Sequence, residues 1–359
     1  MNLLDRYILR QFISTLFFAI IALCLIFLVV NLMENLDDFI DKKVPNPVII
    51  KYYISFFPEI LKILTPVSVL IATLFSIGKL STNNEITAMK SGGLSLYRLM
   101  LPMVAFAIVL SLLQLYFNGW IVPVANQTKL EIERVYLKKA KAQGGSLFNL
   151  FFRDTPTKNV MMQYYHSSEK SGYQVAIEEY TDELSPRLRS RIEANRIVWQ
   201  DGNWQLQDGI IRTFSNNSVF VRSFDTLDTK LNIKHNQLIK LQMLPDEMTF
   251  DEKRDYIKVL KMGGQDIRKN LIDYYAGFAF PFANLIVMLF GVPFASVKKR
   301  GGIAIQITAA MVTAFTYLIF TEISKTLGYS MNLNPILVGW SANLIFFLAS
   351  IVVLIKTQK

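Results

Sequence analysis

The chain has 359 residues, 52% hydrophobic and 18% charged, with a mean hydropathy of +0.31 and a formal charge of +10. Ordinary globular domains carry about 25% charged residues, so this composition points to a membrane protein. Basic residues that flank apolar runs then read as topology determinants and anionic-lipid contacts, not as a nucleic-acid surface. The single cysteine, Cys24, lies inside an apolar run, which excludes an intrachain disulfide and any cysteine-based metal cluster.

A helix needs about 20 mostly apolar residues to cross the hydrocarbon core. Six stretches qualify: residues 12–31, 54–77, 99–122, 271–294, 303–323 and 336–355. The first is preceded by Arg6 and Arg10 but is too long for a signal peptide, and "NLMENLDD" offers no small-residue cleavage site. Lysine and arginine concentrate on the cytoplasmic side of short loops. Arg6 and Arg10, then Lys79, Lys90 and Arg98, then Lys298–Arg300, then Lys356 and Lys359 all fall on one side of a six-span arrangement. Both termini are therefore expected in the cytoplasm. The opposite side receives "ENLDDFIDKKVPNP", "SKTLGYSMNLNP" and a large exported domain between the third and fourth spans. The expected division is 1–125 for three spans and a cytoplasmic helix, 126–270 for the exported domain with its connecting helices, and 271–359 for three further spans.

From 144 to 233 the pattern changes to short runs rich in Val, Ile, Tyr, Phe and Trp separated by turn signals. In "RIVWQDGNWQLQDGIIRTF", Asp201-Gly202 joins two strands as a hairpin. This reads as an all-β sandwich or jelly roll. The flanking segments "NQTKLEIERVYLKKAKAQ" and "FDEKRDYIKVLKMGGQDIRKNL" carry helical spacing.

Catalytic motifs are missing. His166 and His235 are the two histidines, and there is no HExxH, no GxSxG and no Walker A pattern. The chain is expected to be no enzyme. Any energy-driven work requires a nucleotide held by another chain.

Between the second and third apolar stretches lies "NNEITAMKSGGLSLYRLMLP". Thr82 and Glu85 stand in capping-box relation, and Gly92-Gly93 suits a C-terminal cap, so a helix is expected over about 82–92. Ile86, Met89 and Lys90 recur at i, i+3 and i+4. That apolar face rests either on the protein's own spans and lipid or on something outside the membrane.

"VSVLIATLFSIGKLSTNNEITAMKSGGLSLYRLMLP" resembles the second span, cytoplasmic helix and third-span start of the lipopolysaccharide export permease family, the LptF/LptG type. "LDRYILRQF", "GGSLF", "GQD", "PFANLIVMLFGVPFA", "RGG" and "LNPILVGWSANLIFF" extend the resemblance over nearly the whole chain. The opening and "GQD" are similar to the LptG branch and "IGKLSTNNEIT" to the LptF branch, with the lean toward LptG.

The resemblance implies an inner-membrane permease that pairs with a second LptF/LptG-type permease and binds a dimer of a cytoplasmic ABC ATPase. Together they would extract lipopolysaccharide from the outer leaflet and pass it to periplasmic jelly-roll bridge proteins. It implies that Glu85, Ile86, Ala88, Met89 and Gly92 belong to a coupling helix seated in the ATPase. ATP and Mg would lie in that partner, with no cofactor in this chain. Spans one and five would form lateral gates.

An anionic glycolipid needs an apolar chamber and cations for its phosphates. Lys62, inside the second span, either contacts phosphate or pairs with Glu59 three residues earlier. Lys42, Lys43, Lys129, Arg134, Lys138 and Lys139 form either a basic collar or solvated helix faces. Phe17, Phe18 and Phe27 line a chamber or face lipid. Two other readings stay open: a permease of another exporter class, for lipoprotein or peptide and commonly of four spans, and a membrane enzyme or sensor with an exported β domain. A sensor is expected to end in a cytoplasmic output domain, whereas only "KTQK" follows the last span.

Overall fold

The computed structural model describes residues 3–137, 146–167, 169–182, 186–200, 202–215, 218–235, 238, 243–262, 265–296 and 302–357. Contacts divide the chain into two compact units, Met1–Ile132 with Arg268–Lys359, and Glu133–Ile267.

The first unit is helical: α1 (Leu3–Asp41), α2 (Asn46–Thr82), α3 (Glu85–Ser91), α4 (Leu96–Tyr116), a π-helical turn (Phe117–Ile121), α5 (Val122–Ile132), α7 (Arg268–Ala279), a 3-10 turn (Phe280–Phe282), α8 (Ala283–Ser296), α9 (Gly302–Ser330) and α10 (Pro335–Thr357). Among the described residues, five helical stretches are long and apolar enough to cross a membrane: Leu3–Asp41, Asn46–Thr82, Leu96–Leu137, Arg268–Ser296 and Pro335–Lys356. The apolar run 303–323 lies within α9.

The stretches Asn46–Thr82 and Arg268–Ser296 are mostly buried inside the protein, whereas Leu3–Asp41, Leu96–Leu137 and Pro335–Lys356 leave most of their apolar surface exposed. Along α1, Ile8, Phe12 and Leu16 face inward, while Phe17, Phe18, Ile21, Leu25 and Ile26 are exposed, as suits a solvent of lipid chains. The shared core joins that inner stripe to Val69, Leu70, Leu74 and Ile77 of α2, Leu99 and Met103 of α4, and Met288 and Val292 of α8. Helices meet closely where side chains are small. A Cβ on Gly291 would lie 2.9 Å from Thr73 Cγ2, and one on Gly339 would lie 2.8 Å from the Ala276 backbone nitrogen. Polar pairs also fasten the bundle. Gln114 Nε2 donates to the Lys62 carbonyl (3.1 Å), the Asn284 amide donates to Gln114, and Tyr317 and Asn343 link α9, α10 and the end of α7.

The second unit holds β1 (Ser146–Thr155), β2 (Lys158–His166), β3 (Ser171–Tyr180), β4 (Leu188–Gln200), β5 (Asn203–Ser215) and β6 (Ser218–Thr229), followed by a 3-10 turn (Pro245–Glu247) and α6 (Phe250–Met262). Each strand pairs antiparallel with its sequence neighbour, in the order β1 to β6. The expected hairpin is present: Gln200 faces Asn203, and Gly202 takes φ +84°. An all-β fold is thus present, but the layering differs from the expected sandwich. Among the described residues the sheet is a meander without Greek-key crossovers, because every link between strands is short, the longest running over 181–187.

One register row is missing across the whole sheet. Gln163, Gln174, Asn195, Asp208 and Asp225 sit where successive ladders skip a pair, all are exposed, and Gln174 and Asp208 take φ +50° and +52°. The pairing register is the same on both sides of this row, so no residue is inserted; the in–out alternation changes phase there, with left-handed backbone at Gln174 and Asp208. That is why Met162, Val175 and Ala194 on one side of the row, and Tyr165, Ile197 and Leu206 on the other, all face one core despite their odd spacing. Ile233, Leu238 and Val259 cover that face. Trp204 Nε1 donates to the Ile233 carbonyl (2.8 Å), while Asp154 Oδ1 accepts the backbone N–H groups of Asn232 (2.7 Å) and Ile233 (3.2 Å). Tyr165 and His235 Nδ1 share a hydrogen bond inside the same cover. The flanking helical expectations resolve into α5 with a π turn at Glu133–Leu137, and α6 followed by α7.

Candidate functional site

The segment between α2 and α4 is built differently from the expected capping box. The α2 helix continues through Thr82, whose hydroxyl donates to its own Gly78 carbonyl (2.9 Å) and is therefore not the cap of a new helix. The chain turns at Asn84, which takes φ +60° in the left-handed region that asparagine tolerates better than most residues. The α3 helix then spans only Glu85–Ser91. It ends in a complete Schellman motif: Leu94 N–H reaches the Met89 carbonyl (3.0 Å), Gly93 N–H reaches the Lys90 carbonyl (3.0 Å), and Gly93 supplies φ +86°. Ser95 restarts the chain as α4 by accepting the Arg98 N–H (3.3 Å).

The apolar face of α3 is turned inward. Ile86 is only 3% exposed and packs in the core that holds Leu80, Leu96 and Leu99, with Met89 partly buried beside it. Thr87, Ala88, Lys90, Ser91 and Gly92 form the accessible side. Glu85 is fixed from two directions, by Tyr7 of α1, whose hydroxyl donates to Oε2 (3.1 Å), and by Asn83 Nδ2, which donates to Oε1 (3.1 Å). A bidentate ion pair ties the same ends of α1 and α4: Arg98 Nη1 and Nη2 each lie 3.0 Å from an oxygen of Asp5, a residue 7% exposed.

The basic residues singled out in the sequence separate into distinct settings. Lys129 lies 2.7 Å from Glu59 and 4.6 Å above the Phe56 ring, so Glu59 pairs with Lys129 and not with Lys62. Phe27 stands 6.3 Å from Phe56, and the structure thus brings Phe27, Phe56, Glu59 and Lys129 together. Lys62 is half-buried. Lys42 pairs with Asp38 one helical turn away (3.0 Å), and Lys43 is exposed in the turn to α2 with φ +51°. Arg134 belongs to the second unit and forks onto Glu247 (Nη1 to Oε2, 3.2 Å). Phe17 and Phe18 are exposed on α1. Lys138, Lys139 and Lys298–Arg300 lie outside the described residues.

Sequence reasoning missed Tyr7, Asp5 and Asn83 as partners of this site. Tyr7 and Glu85 are 78 positions apart, and neither position carries a local pattern that announces the other.

The profile of the family described as "Lipopolysaccharide export system permease LptF/LptG" matches residues 6–356. Permease protein LptG of Escherichia coli (strain K12) is 22% identical over 363 aligned residues, covering 99% of this chain and 98% of that protein. Permease protein LptF of the same strain is 23% identical over 359, covering 97% and 93%, and LptF of Shigella flexneri matches to the same extent. Near-equal identities leave the two branches undivided. With the match running from the start of α1 to the end of α10, the chain belongs to the LptF/LptG family of lipopolysaccharide export permeases.

Proposed function

We propose that this chain is a permease subunit that moves lipopolysaccharide out of the inner membrane, and that α3 is where a partner ATPase delivers its work. The observation that carries the reading is the family match across both units, 6–356, in a chain whose helices are long enough to span a bilayer. In this reading α9 is the fifth of six spans, both termini are cytoplasmic, and residues 126–270 form the exported module between the third and fourth spans. The six-stranded sheet serves as the family's jelly-roll module, and its edge strands β1 and β6 offer backbone groups to bridge proteins.

A helix that receives force must be stiffly tied to what it moves. Ile86, Met89 and the Glu85 bonds fasten α3 to α1, α2 and α4, while Ala88 and Gly92 let a partner's groove approach closely. A second LptF/LptG-type permease and an ATPase dimer holding ATP and Mg complete the assembly. Lys62 and Lys43, which have no ion pair among the described residues, are the cations we assign to lipid phosphates, with Phe27 and Phe56 lining the acyl chamber. Lys42, Lys129 and Phe17 are assigned to the same task as a second rank, together with Arg134 of the second unit and Lys138.

Co-expression with a candidate ATPase and sibling permease, followed by purification and ATPase assay, tests the reading. A stable complex whose ATP hydrolysis rises with lipopolysaccharide is expected. Failure to form the complex, or hydrolysis indifferent to lipopolysaccharide, refutes it. Glu85→Gln keeps an acceptor for Tyr7 but gives up the one that Asn83 Nδ2 uses, so a loss of coupling in that variant that is not seen in Asn83→Ala assigns the role to the charge itself.

A further inference from the structure

We propose that the groove between α1 and α2, beside α3, binds the phosphate of a membrane lipid distinct from the transported one. A cavity of about 450 Å³ opens there, with Gln11, Ser14 and Thr15 on its α1 wall and Phe75, Lys79 and Thr82 on its α2 wall, closed at one end by Asn83. Its chemistry is that of an anion site with an apolar margin. The Lys79 ammonium has no ion pair and no hydrogen bond among the described residues. Among those residues no carboxylate lines the cavity, and Glu85 and Asp5 are engaged elsewhere, Glu85 by Tyr7 and Asn83, and Asp5 by Arg98.

Neutral donors surround that cation. The Ser14 hydroxyl is exposed on the groove wall, and Gln11 Nε2 makes only a long bond to the Ser76 carbonyl (3.4 Å). The hydroxyls of Thr15 and Thr82 donate to carbonyls of their own helices, at 2.8 Å and 2.9 Å. Backbone N–H groups already serve those carbonyls, so a hydroxyl can rotate from one of them to a charged acceptor, which makes the stronger bond. Arg10 is exposed one helical turn before Ser14 and adds a second positive charge.

The depth of the groove selects a lipid over a free anion. The apolar run of α1 begins at Phe12 and that of α2 ends at Ile77. Gln11, Lys79, Thr82 and Asn83 therefore lie at the level where headgroup phosphates lie, and Phe75, 46% exposed, lies one turn inside, where an acyl chain begins. Asn83 connects the site to α3, since the same side chain that closes the groove donates to Glu85. Lipid occupancy thereby reaches the α2–α3 turn. The inference needs α1 and α2 to cross the bilayer and does not depend on what the protein transports.

The test separates the two halves of the ligand. Full-length protein in neutral detergent is titrated with dioleoyl phosphatidylglycerol, dioleoylglycerol and inorganic phosphate, and bound species are counted by native mass spectrometry. One phosphatidylglycerol per chain is expected to be lost in Lys79→Ala, with affinity on the order of tenfold weaker, and kept in Lys79→Arg and in Lys51→Ala at the far end of α2. Dioleoylglycerol and inorganic phosphate alone are expected not to occupy the site. Unchanged phosphatidylglycerol binding in Lys79→Ala overturns the proposal. Equal occupancy by dioleoylglycerol reduces the groove to an apolar slot, and equal occupancy by inorganic phosphate makes it a free-anion site; either result also overturns it.

Discussion

Substitution of Ile86 by alanine isolates what holds α3 in place. Helices shorter than about 12 residues are marginal in water, and α3 has seven, so its persistence comes from tertiary contacts. Ile86 is its one fully buried side chain. Replacing a buried Ile by Ala removes roughly 2–5 kcal/mol, and the lower end applies here because a short surface helix can settle into the space left behind. The α3 segment can open without unfolding the spans, so the loss falls on a local opening equilibrium. About 2 kcal/mol corresponds to roughly 30-fold faster amide exchange. Hydrogen-exchange mass spectrometry of the full chain, read on peptides covering 85–94, measures this directly. Thr87→Ala, on the exposed side, is the matched control and should stay within about 0.5 kcal/mol. Exchange within twofold of wild type in Ile86→Ala refutes the anchor. So does equal acceleration along α2 and α4, which would mean that Ile86 supports the whole bundle instead.

Gly339→Ala places a Cβ 2.8 Å from the Ala276 nitrogen and 3.0 Å from Tyr275 Cβ, so α10 must move off α7; a loss of about 1–3 kcal/mol is expected, visible as a lower unfolding temperature. Arg268 donates to the carbonyls of Met331 and Leu333 and to Asn332 Oδ1 (2.6 Å), fastening the end of α9. Arg268→Ala should lose about 1–3 kcal/mol and raise proteolysis between α9 and α10, and Arg268→Lys should not restore it, since one ammonium cannot span the fork. Burial, with Lys170 nearby, holds the His235 imidazole below the ordinary histidine range. The unfolded chain then takes up a proton first as pH falls below about 6.5, so the second unit loses stability from there downward and levels off below the folded-state value. Exchange protection of β5 amides measured from pH 8 to pH 5 should follow that slope in wild type and lose it in His235→Gln.

Five long apolar helices were legible because a membrane-crossing helix needs a long apolar run, and soluble folds seldom contain one. The hairpin at Gly202 was legible for a similar reason: Asp-Gly dictates a local backbone conformation. What escaped is non-local or depends on competition. Thr82 and Glu85 match a capping box in sequence, yet continued α2 helix captures the Thr82 hydroxyl first. The Glu59–Lys62 spacing suits a helical ion pair, yet Lys129 of α5 reaches Glu59 instead. Strand periodicity located the β region but not its layering. The residues that reset the alternation, Gln163, Gln174, Asn195, Asp208 and Asp225, look like ordinary surface polar residues until the ladders are aligned.

That polar row separates shape from composition. The change of phase across the sheet lies in backbone conformation at one line of exposed positions, not in the fit of particular apolar side chains. Hydrophobic residues on the core face can therefore drift among Val, Ile, Leu, Met and Phe while the sheet keeps its pairing, so a fold of this kind can persist between proteins that share only 22–23% of their residues. The same separation gives a lever for engineering. Residues of the core face can be exchanged without redesigning the scaffold, provided the left-handed backbone at Gln174 and Asp208 is left alone.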